Sequence, residues 1–401
     1  MKDASSRRGF LALTTSLGAA LASCGGGDGG APAEAPSRLG KPVSSYGERS
    51  RFSAERRFIA PTKTPEQAAS LTPLQDSEGV ITPSALHFER HHSGIPDLDP
   101  SVHELLLHGL VERPLRFSMD ALKRMPSVSV IRFVECSGNS RSEWSKPAPT
   151  AQMSSGMASC SEWTGVPLRT VLDEAGLKPE AKWLICEGAD ACRMARSLPI
   201  EKALDDCLLV YGQNGEALRP EQGYPLRLLV PGWEGNINVK WLRVLKATAG
   251  PSETRDETSK YTDLMPDGSS RQFTFAMEAK SVITTPSGGQ ALPGPGFLEI
   301  RGLAWSGRGL IEKVEVSVDG GSTWEVAQLQ EPRFPKAFTR FRLPWSWSGA
   351  ETTIQSRATD ETGYIQPTVQ ELVAVRGTES SYHNNGVKAW KVLADGSVTN
   401  V

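Results

Sequence analysis

From about residue 281 the chain breaks into short runs of alternating apolar and polar residues, and few folds can use that pattern. Runs at 297–305, 311–318, 323–327, 337–343, 352–359 and 369–375 each have the length of one strand. Val314, Val316 and Val318 alternate with polar neighbours, so each such strand has one apolar face. Asp319-Gly-Gly-Ser322 has the residue types of a hairpin turn, and Trp324 and Val326 resume the alternation. Antiparallel strands with one apolar face must bury it against a second sheet. The region therefore predicts a β-sandwich of immunoglobulin type, without the inter-sheet cysteine pair, because all six cysteines precede residue 208. Residues 377–401 read as a tail whose Tyr382, His383 and Trp390 are available to dock on a surface.

The preceding part is patterned differently. Strand-like runs at 103–108, 128–135, 183–187, 208–211, 226–230 and 239–246 are interleaved irregularly with short helices. Ser118 can cap a helix with Asp120 in its first turn, and residues 168–175 carry apolar side chains at helical spacing before Gly176. No βαβ repeat with a Gly-x-Gly-x-x-Gly turn occurs, which points to an α+β domain and not a dinucleotide fold. The expected organisation is a leader over 1–24, a linker over 25–60, an α+β domain over 61–255 and the sandwich over 256–376.

Within the α+β domain, the run Val-Ile-Arg-Phe-Val-Glu-Cys136-Ser-Gly-Asn-Ser-Arg141 brings a β-branched strand to a polar turn. A thiol at a strand end can face a cleft, and arginines nearby would lower its pKa, so Cys136 is a candidate nucleophile or soft metal ligand. The competing reading is a buried structural cysteine. The other cysteines form no zinc pattern. A Cys186–Cys192 or a Cys192–Cys207 disulfide and free buried thiols all remain open. Five of the six histidines precede Cys136, no Gly-x-Ser-x-Gly accompanies them, and no Cys-x-x-Cys-His site for c-type haem occurs. The net charge of −2 and the lack of a basic run give no footprint for nucleic acid.

The N-terminus reads Ser6-Arg7-Arg8-Gly9-Phe10-Leu11, followed by a weakly apolar stretch too short to span a bilayer. This is the form of a twin-arginine export signal and predicts a periplasmic destination. Leu21-Ala22-Ser23-Cys24 has the form of a lipobox, with Cys24 as a lipid-anchor candidate; ordinary cleavage nearby is the alternative.

Several stretches of the α+β domain, in order, resemble one known family. They are Phe88-Glu-Arg-His-His92, Ile95-Pro-Asp-Leu-Asp-Pro100, Glu135-Cys-Ser-Gly-Asn-Ser-Arg141, Trp163-Thr-Gly-Val-Pro-Leu168, Cys186-Glu-Gly-Ala-Asp190, Gly223-Tyr-Pro-Leu-Arg227 and Val230-Pro-Gly-Trp233 through Asn238-Val-Lys-Trp241. Together they resemble the sulfite oxidase family of molybdopterin enzymes over residues 75 to 375. Tyr261-Thr-Asp-Leu-Met-Pro-Asp-Gly268, Met277-Glu-Ala-Lys-Ser-Val-Ile283 and Tyr382-His-Asn-Asn385 narrow the likeness to the sulfane (sulfite) dehydrogenase group.

The resemblance implies a single molybdenum held by molybdopterin, with Cys136 as its thiolate ligand and no haem in this chain. It implies Phe88, Arg90, His91, His92, Asp190, Gln222, Arg227, Asn238, Val239 and Lys240 as the cofactor cradle. Arg90 and Tyr261 would face the substrate, and Arg141 would stand behind them as a further cation. The implied activity is oxidation of sulfane sulfur on a carrier protein, or of sulfite, with water as oxygen source. The implied partners are a c-type cytochrome, a sulfur-carrier protein and a second copy bound through the sandwich. Gln222 stands where sulfite oxidases carry His, and Ile237 where they often carry Arg. Both departures remove positive charge and lean the expectation toward a substrate larger than free sulfite. The alternatives are a free sulfite:cytochrome c dehydrogenase, a methionine sulfoxide reductase-like member and a non-catalytic scaffold.

Overall fold

The computed structural model describes residues 42–401; the twin-arginine motif and Cys24 lie outside the described residues. Residues 42–53 carry bends and a turn without helix or strand, and Ala54–Val401 forms a separate compact unit.

That unit holds two five-stranded sheets in its first half. One places Val128–Glu135 at its edge against Ala158–Pro167, which pairs in turn with Leu208–Gln213. The second runs Leu115–Ser118, Glu104–Gly109, Leu242–Thr248, Trp183–Gly188, Ala195–Pro199, with a parallel pairing between Glu104–Gly109 and Leu242–Thr248. Between them lies an apolar core that includes Leu105, Val166, Leu172, Leu184, Leu228 and Leu245. The helix Leu168–Ala175 forms because Leu168, Val171, Leu172 and Ala175 fall on one face and bury against that core. Ser118 caps the helix Met119–Lys123 by accepting from the Ala121 amide.

The second half is the sandwich. Lys280–Thr285, Gly296–Trp305, Thr339–Trp347 and Gln328–Leu329 form one sheet. Glu325–Val326, Ile311–Ser317, Thr352–Asp360, Ala389–Val392 and Val398–Asn400 form the other. Their inner faces bury Ile300, Val314, Val316, Phe341, Ile354 and Trp390.

Four expectations need correction. Residues 369–375 are not a strand: Val369–Arg376 is an α-helix. Its β-branched content favours a strand, but Thr368 and Glu371 close a capping box that satisfies the first-turn amides. Only the first part of residues 377–401 docks as a tail, with the His383 amide donating to the Ser137 carbonyl at 2.8 Å. Ala389–Val392 and Val398–Asn400 extend the sandwich sheet, and Trp390 is fully buried with its indole N–H donating to the Ile283 carbonyl at 3.0 Å. The run at 323–327 shrinks to Glu325–Val326, and Val326 points to solvent. The strand expected from 239 begins only at Leu242, because Trp241 sits at φ 54°, outside the range of a strand. Asn238, Val239 and Lys240 are thereby left in a loop that reaches the functional cleft.

Candidate active site

The site is built where the strand Val128–Glu135 ends. Glu135 pairs with Ala158, and one residue later the Cys136 amide donates to the Met157 carbonyl at 2.9 Å. The chain then turns through Ser137-Gly138-Asn139-Ser140, and Cys136 lines a cavity. Gly235 approaches this turn so closely that a Cβ there would lie 2.8 Å from the Glu135 carbonyl oxygen. Any larger residue would push the 235–240 loop off the cavity.

Phe88, Arg90, His91, His92, Asp190, Gln222, Arg227, Asn238, Val239, Lys240, Cys136 and Tyr261 all line this cavity. They arrive from six separate stretches of chain. The details differ from residue to residue. Gln222 spends its amide inside the protein, donating to the Phe88 carbonyl at 3.0 Å and accepting from Arg227 at 3.2 Å. The Asn238 side chain is likewise used by its own loop: its oxygen accepts from the Val230 amide at 2.7 Å, and its nitrogen donates to the Glu234 carbonyl at 3.1 Å. Asp190 accepts from the Met194 amide and from the Cys192 thiol at 2.8 Å. His91 is fixed in one tautomer, with Nε2–H donating to Glu89 at 2.8 Å and Nδ1 accepting from Lys240 at 2.9 Å.

Electrostatically the cavity is short of anions. Arg227 is buried, and burial pushes its guanidinium down to about 9. Among the described residues no carboxylate stands within ion-pair reach of it, and its Nε finds no acceptor. Lys240 is pushed well below its usual range by burial and by Arg227. Burial, then neighbouring cations, hold His91 at about 3 and His92 at about 4, so both rings are neutral at pH 7. The buried His87 Nε2 and Asn236 Oδ1 also lack partners. These unpaired groups fit a pterin that carries a phosphate. A phosphate would match Arg227 and Lys240, and the pterin's N–H groups would meet acceptors such as His87 Nε2. Cys136 offers the soft sulfur that a high-valent metal takes.

The low thiol pKa expected of Cys136 is not found. Burial pushes it up, outweighing the Gly138 amide and Arg90, which act the other way. A bound metal would supply the missing charge and hold the sulfur as thiolate. The disulfides left open also do not form: Cys136, Cys160, Cys186, Cys192 and Cys207 are all free.

A wider vestibule opens beside the cavity, sharing Arg90, His92, Cys136 and Tyr261 with it. Arg141 stands here, exposed at the rim, together with Arg193, Arg255 and Lys260. The Tyr261 hydroxyl and His92 Nε2 share a hydrogen bond of 2.8 Å, and burial pushes the phenol up, so it stays protonated. Behind Tyr261, the fully buried Arg196 guanidinium lies 5.1 Å from the ring and pairs with Glu234 at 2.8 Å. Reasoning from sequence missed Arg196, His87 and Asn236. Trp241, which stacks over the Lys240 ammonium at 4.5 Å, stood inside a quoted motif without a role. Ile237 does not face the site at all; it is buried in the apolar core.

Comparison with known proteins agrees with this arrangement. A family model for the oxidoreductase molybdopterin binding domain matches residues 92–255, and one for the Mo-co oxidoreductase dimerisation domain matches residues 271–389. The chain is 33% identical over 337 residues to sulfite oxidase of Gallus gallus, covering 76% of this chain and 72% of that protein. It is 32% identical over 336 residues to the NADH nitrate reductase of Solanum lycopersicum, of which it covers only 36%. The crystal structure of the sulfane dehydrogenase SoxCD from Paracoccus pantotrophus superposes with a TM-score of 0.89 at 49% identity, covering 91% of this chain and 96% of that one. With its two domains and its anion-poor cofactor cavity, the chain belongs to the sulfite oxidase family of molybdopterin oxidoreductases.

Proposed function

We propose that the chain is the molybdopterin subunit of a periplasmic dehydrogenase that oxidises sulfane sulfur carried on a partner protein. The reading rests on the vestibule. It is wider than a free oxyanion needs, and its cations sit outward, at Arg141, Arg193, Arg255 and Lys260, with Asp256 as the acid among them. Of the two positions that lack the family's charge, only Gln222 lines the cavity, and the cations of this chain lie nearer the mouth. That arrangement suits an anionic sulfur group presented on a larger bearer. Similarity to the SoxCD sulfane dehydrogenase at 49% identity supports the same choice.

When bound, the molybdenum–pterin group supplies two-electron oxygen-atom transfer to sulfur, with water as oxygen source. Cys136 holds the metal, and Arg227 and Lys240 hold the cofactor's phosphate. Arg90, shared by both cavities, orients the incoming anion. The neutral Tyr261–His92 pair presents one hydroxyl at the floor of the vestibule, where Tyr261 Oη can donate to the substrate while His92 Nε2 keeps the phenol in place. The electrons pass to a c-type cytochrome on a separate chain, and a second copy docks through the sandwich. The twin-arginine motif supports export to the periplasm, and Cys24 is a candidate lipid anchor there.

Free sulfite as substrate is the second reading, favoured by Arg90 beside Cys136 at the vestibule floor. Turnover with cytochrome c as acceptor separates the two. A persulfidated carrier protein is expected to react at least about tenfold faster, per kcat/KM, than free sulfite. Faster turnover on sulfite would replace the first reading with the second.

A further inference from the structure

The turn that carries Cys136 is gripped from behind by the sandwich. Glu135, its immediate neighbour, is buried, and both carboxylate oxygens are occupied. Oε2 accepts from the Trp305 indole N–H at 2.7 Å. Oε1 accepts from Asn139 Nδ2 at 2.8 Å and from Lys280 Nζ at 3.2 Å. Lys280 is buried too, and its remaining N–H groups go to Ser140 Oγ at 2.7 Å and to the Asn384 carbonyl at 2.9 Å. One ammonium therefore ties together the residue before Cys136 and the residue that closes the turn. Ser140 needs such a hold, because its φ of 60° is a left-handed conformation that non-glycine residues rarely adopt.

Neither Lys280 nor Trp305 lines the cofactor cavity, so neither can touch cofactor or substrate there. They belong to the strands Lys280–Thr285 and Gly296–Trp305 of the sandwich. A buried ion pair adds little net stability, since desolvation offsets most of its attraction. What a fully satisfied pair supplies is geometry: an ammonium with three fixed acceptors permits one arrangement of the groups around it.

We propose that Lys280 and Trp305 are positioning residues which, through Glu135, set where the Cys136 sulfur stands in the cavity. The sandwich is then part of the catalytic geometry as well as an assembly module. This rests on Cys136 being the sulfur ligand of molybdenum.

The test uses full-length, molybdenum-loaded protein with Lys280→Gln and Trp305→Phe; the second removes one N–H donor and keeps a buried ring. Turnover per bound molybdenum, KM and the Mo(V) electron paramagnetic resonance signature are measured for each. Expected are shifted Mo(V) g values in both, kcat down about tenfold for Lys280→Gln and about threefold for Trp305→Phe, and KM within about twofold. Single variants with the wild-type signature and kcat overturn the proposal, whatever their melting temperatures. If Lys280→Gln does not fold, Trp305→Phe decides by the same criteria. Wild-type protein without molybdenum would sink the underlying metal assignment and this proposal with it; unchanged loaded variants sink this proposal alone.

Discussion

Two buried cations, one behind the Cys136 turn and one in the cavity that Cys136 lines, meet opposite fates. On the sandwich side, Lys280 has an acceptor for every N–H, including a carboxylate. On the cavity side, Arg227 is equally buried, but it hydrogen-bonds to the oxygens of Gln222 and lies over the Trp163 ring at 5.1 Å, with no carboxylate partner among the described residues and its Nε unpaired. A matched buried charge is scaffolding, whereas an unmatched one marks the place of a missing anion. The same fold holds both, which separates the part that shapes the site from the part that waits for a ligand.

The comparison can be broken in several ways. The largest effect is expected at the turn itself: Cys136→Ser should lower turnover by roughly 10³-fold or more, read as kcat per bound molybdenum. Next, Lys280→Met leaves Glu135 buried and unpaired and should cost about 3–5 kcal/mol in chemical denaturation. Arg227→Met should do the reverse to protein made without molybdenum, raising its stability by about 1–3 kcal/mol while abolishing cofactor retention. Equal signs for the two substitutions would collapse the distinction.

The histidines give a pH signature on the cavity side only. His87 is buried and held at about 3, His91 at about 3 and His92 at about 4, all below the unfolded value near 6.5. The unfolded chain therefore binds more protons between those values, and stability is lost as pH falls from about 6.5 toward 4. For His87 alone the loss at pH 5 is about 2 kcal/mol. The melting temperature of molybdenum-free protein should fall over this window, and His87→Phe should flatten the slope. The smallest effect lies in the sandwich, where Thr368→Ala removes the cap of the helix Val369–Arg376 and should cost about 1 kcal/mol without changing turnover.

What was legible in the chain was local. A β-branched run located Val128–Glu135, and period 3.6 located Leu168–Ala175. The capping pair Thr368 and Glu371 was also in plain view, but the β-branched residues that follow outweighed it. The strands Ala389–Val392 and Val398–Asn400 were not legible, since the register that makes Trp390 a core residue is set by Thr352–Asp360. Motifs marked the cavity-lining residues because most arrive in contiguous stretches. The Lys280–Glu135 pair spans 145 positions, and nothing local to either residue announces the other. Arg196 was hidden for the same reason: its partners Glu234 and Tyr261 come from later loops.

The central claim is that the sulfur of Cys136 binds molybdenum in the anion-poor cavity. Molybdenum K-edge X-ray absorption on wild-type protein and on Cys136→Ser tests it most directly. The account predicts about one molybdenum per wild-type chain and one fewer sulfur scatterer in the variant. An unchanged sulfur shell in a variant that still turns over at full rate would contradict it.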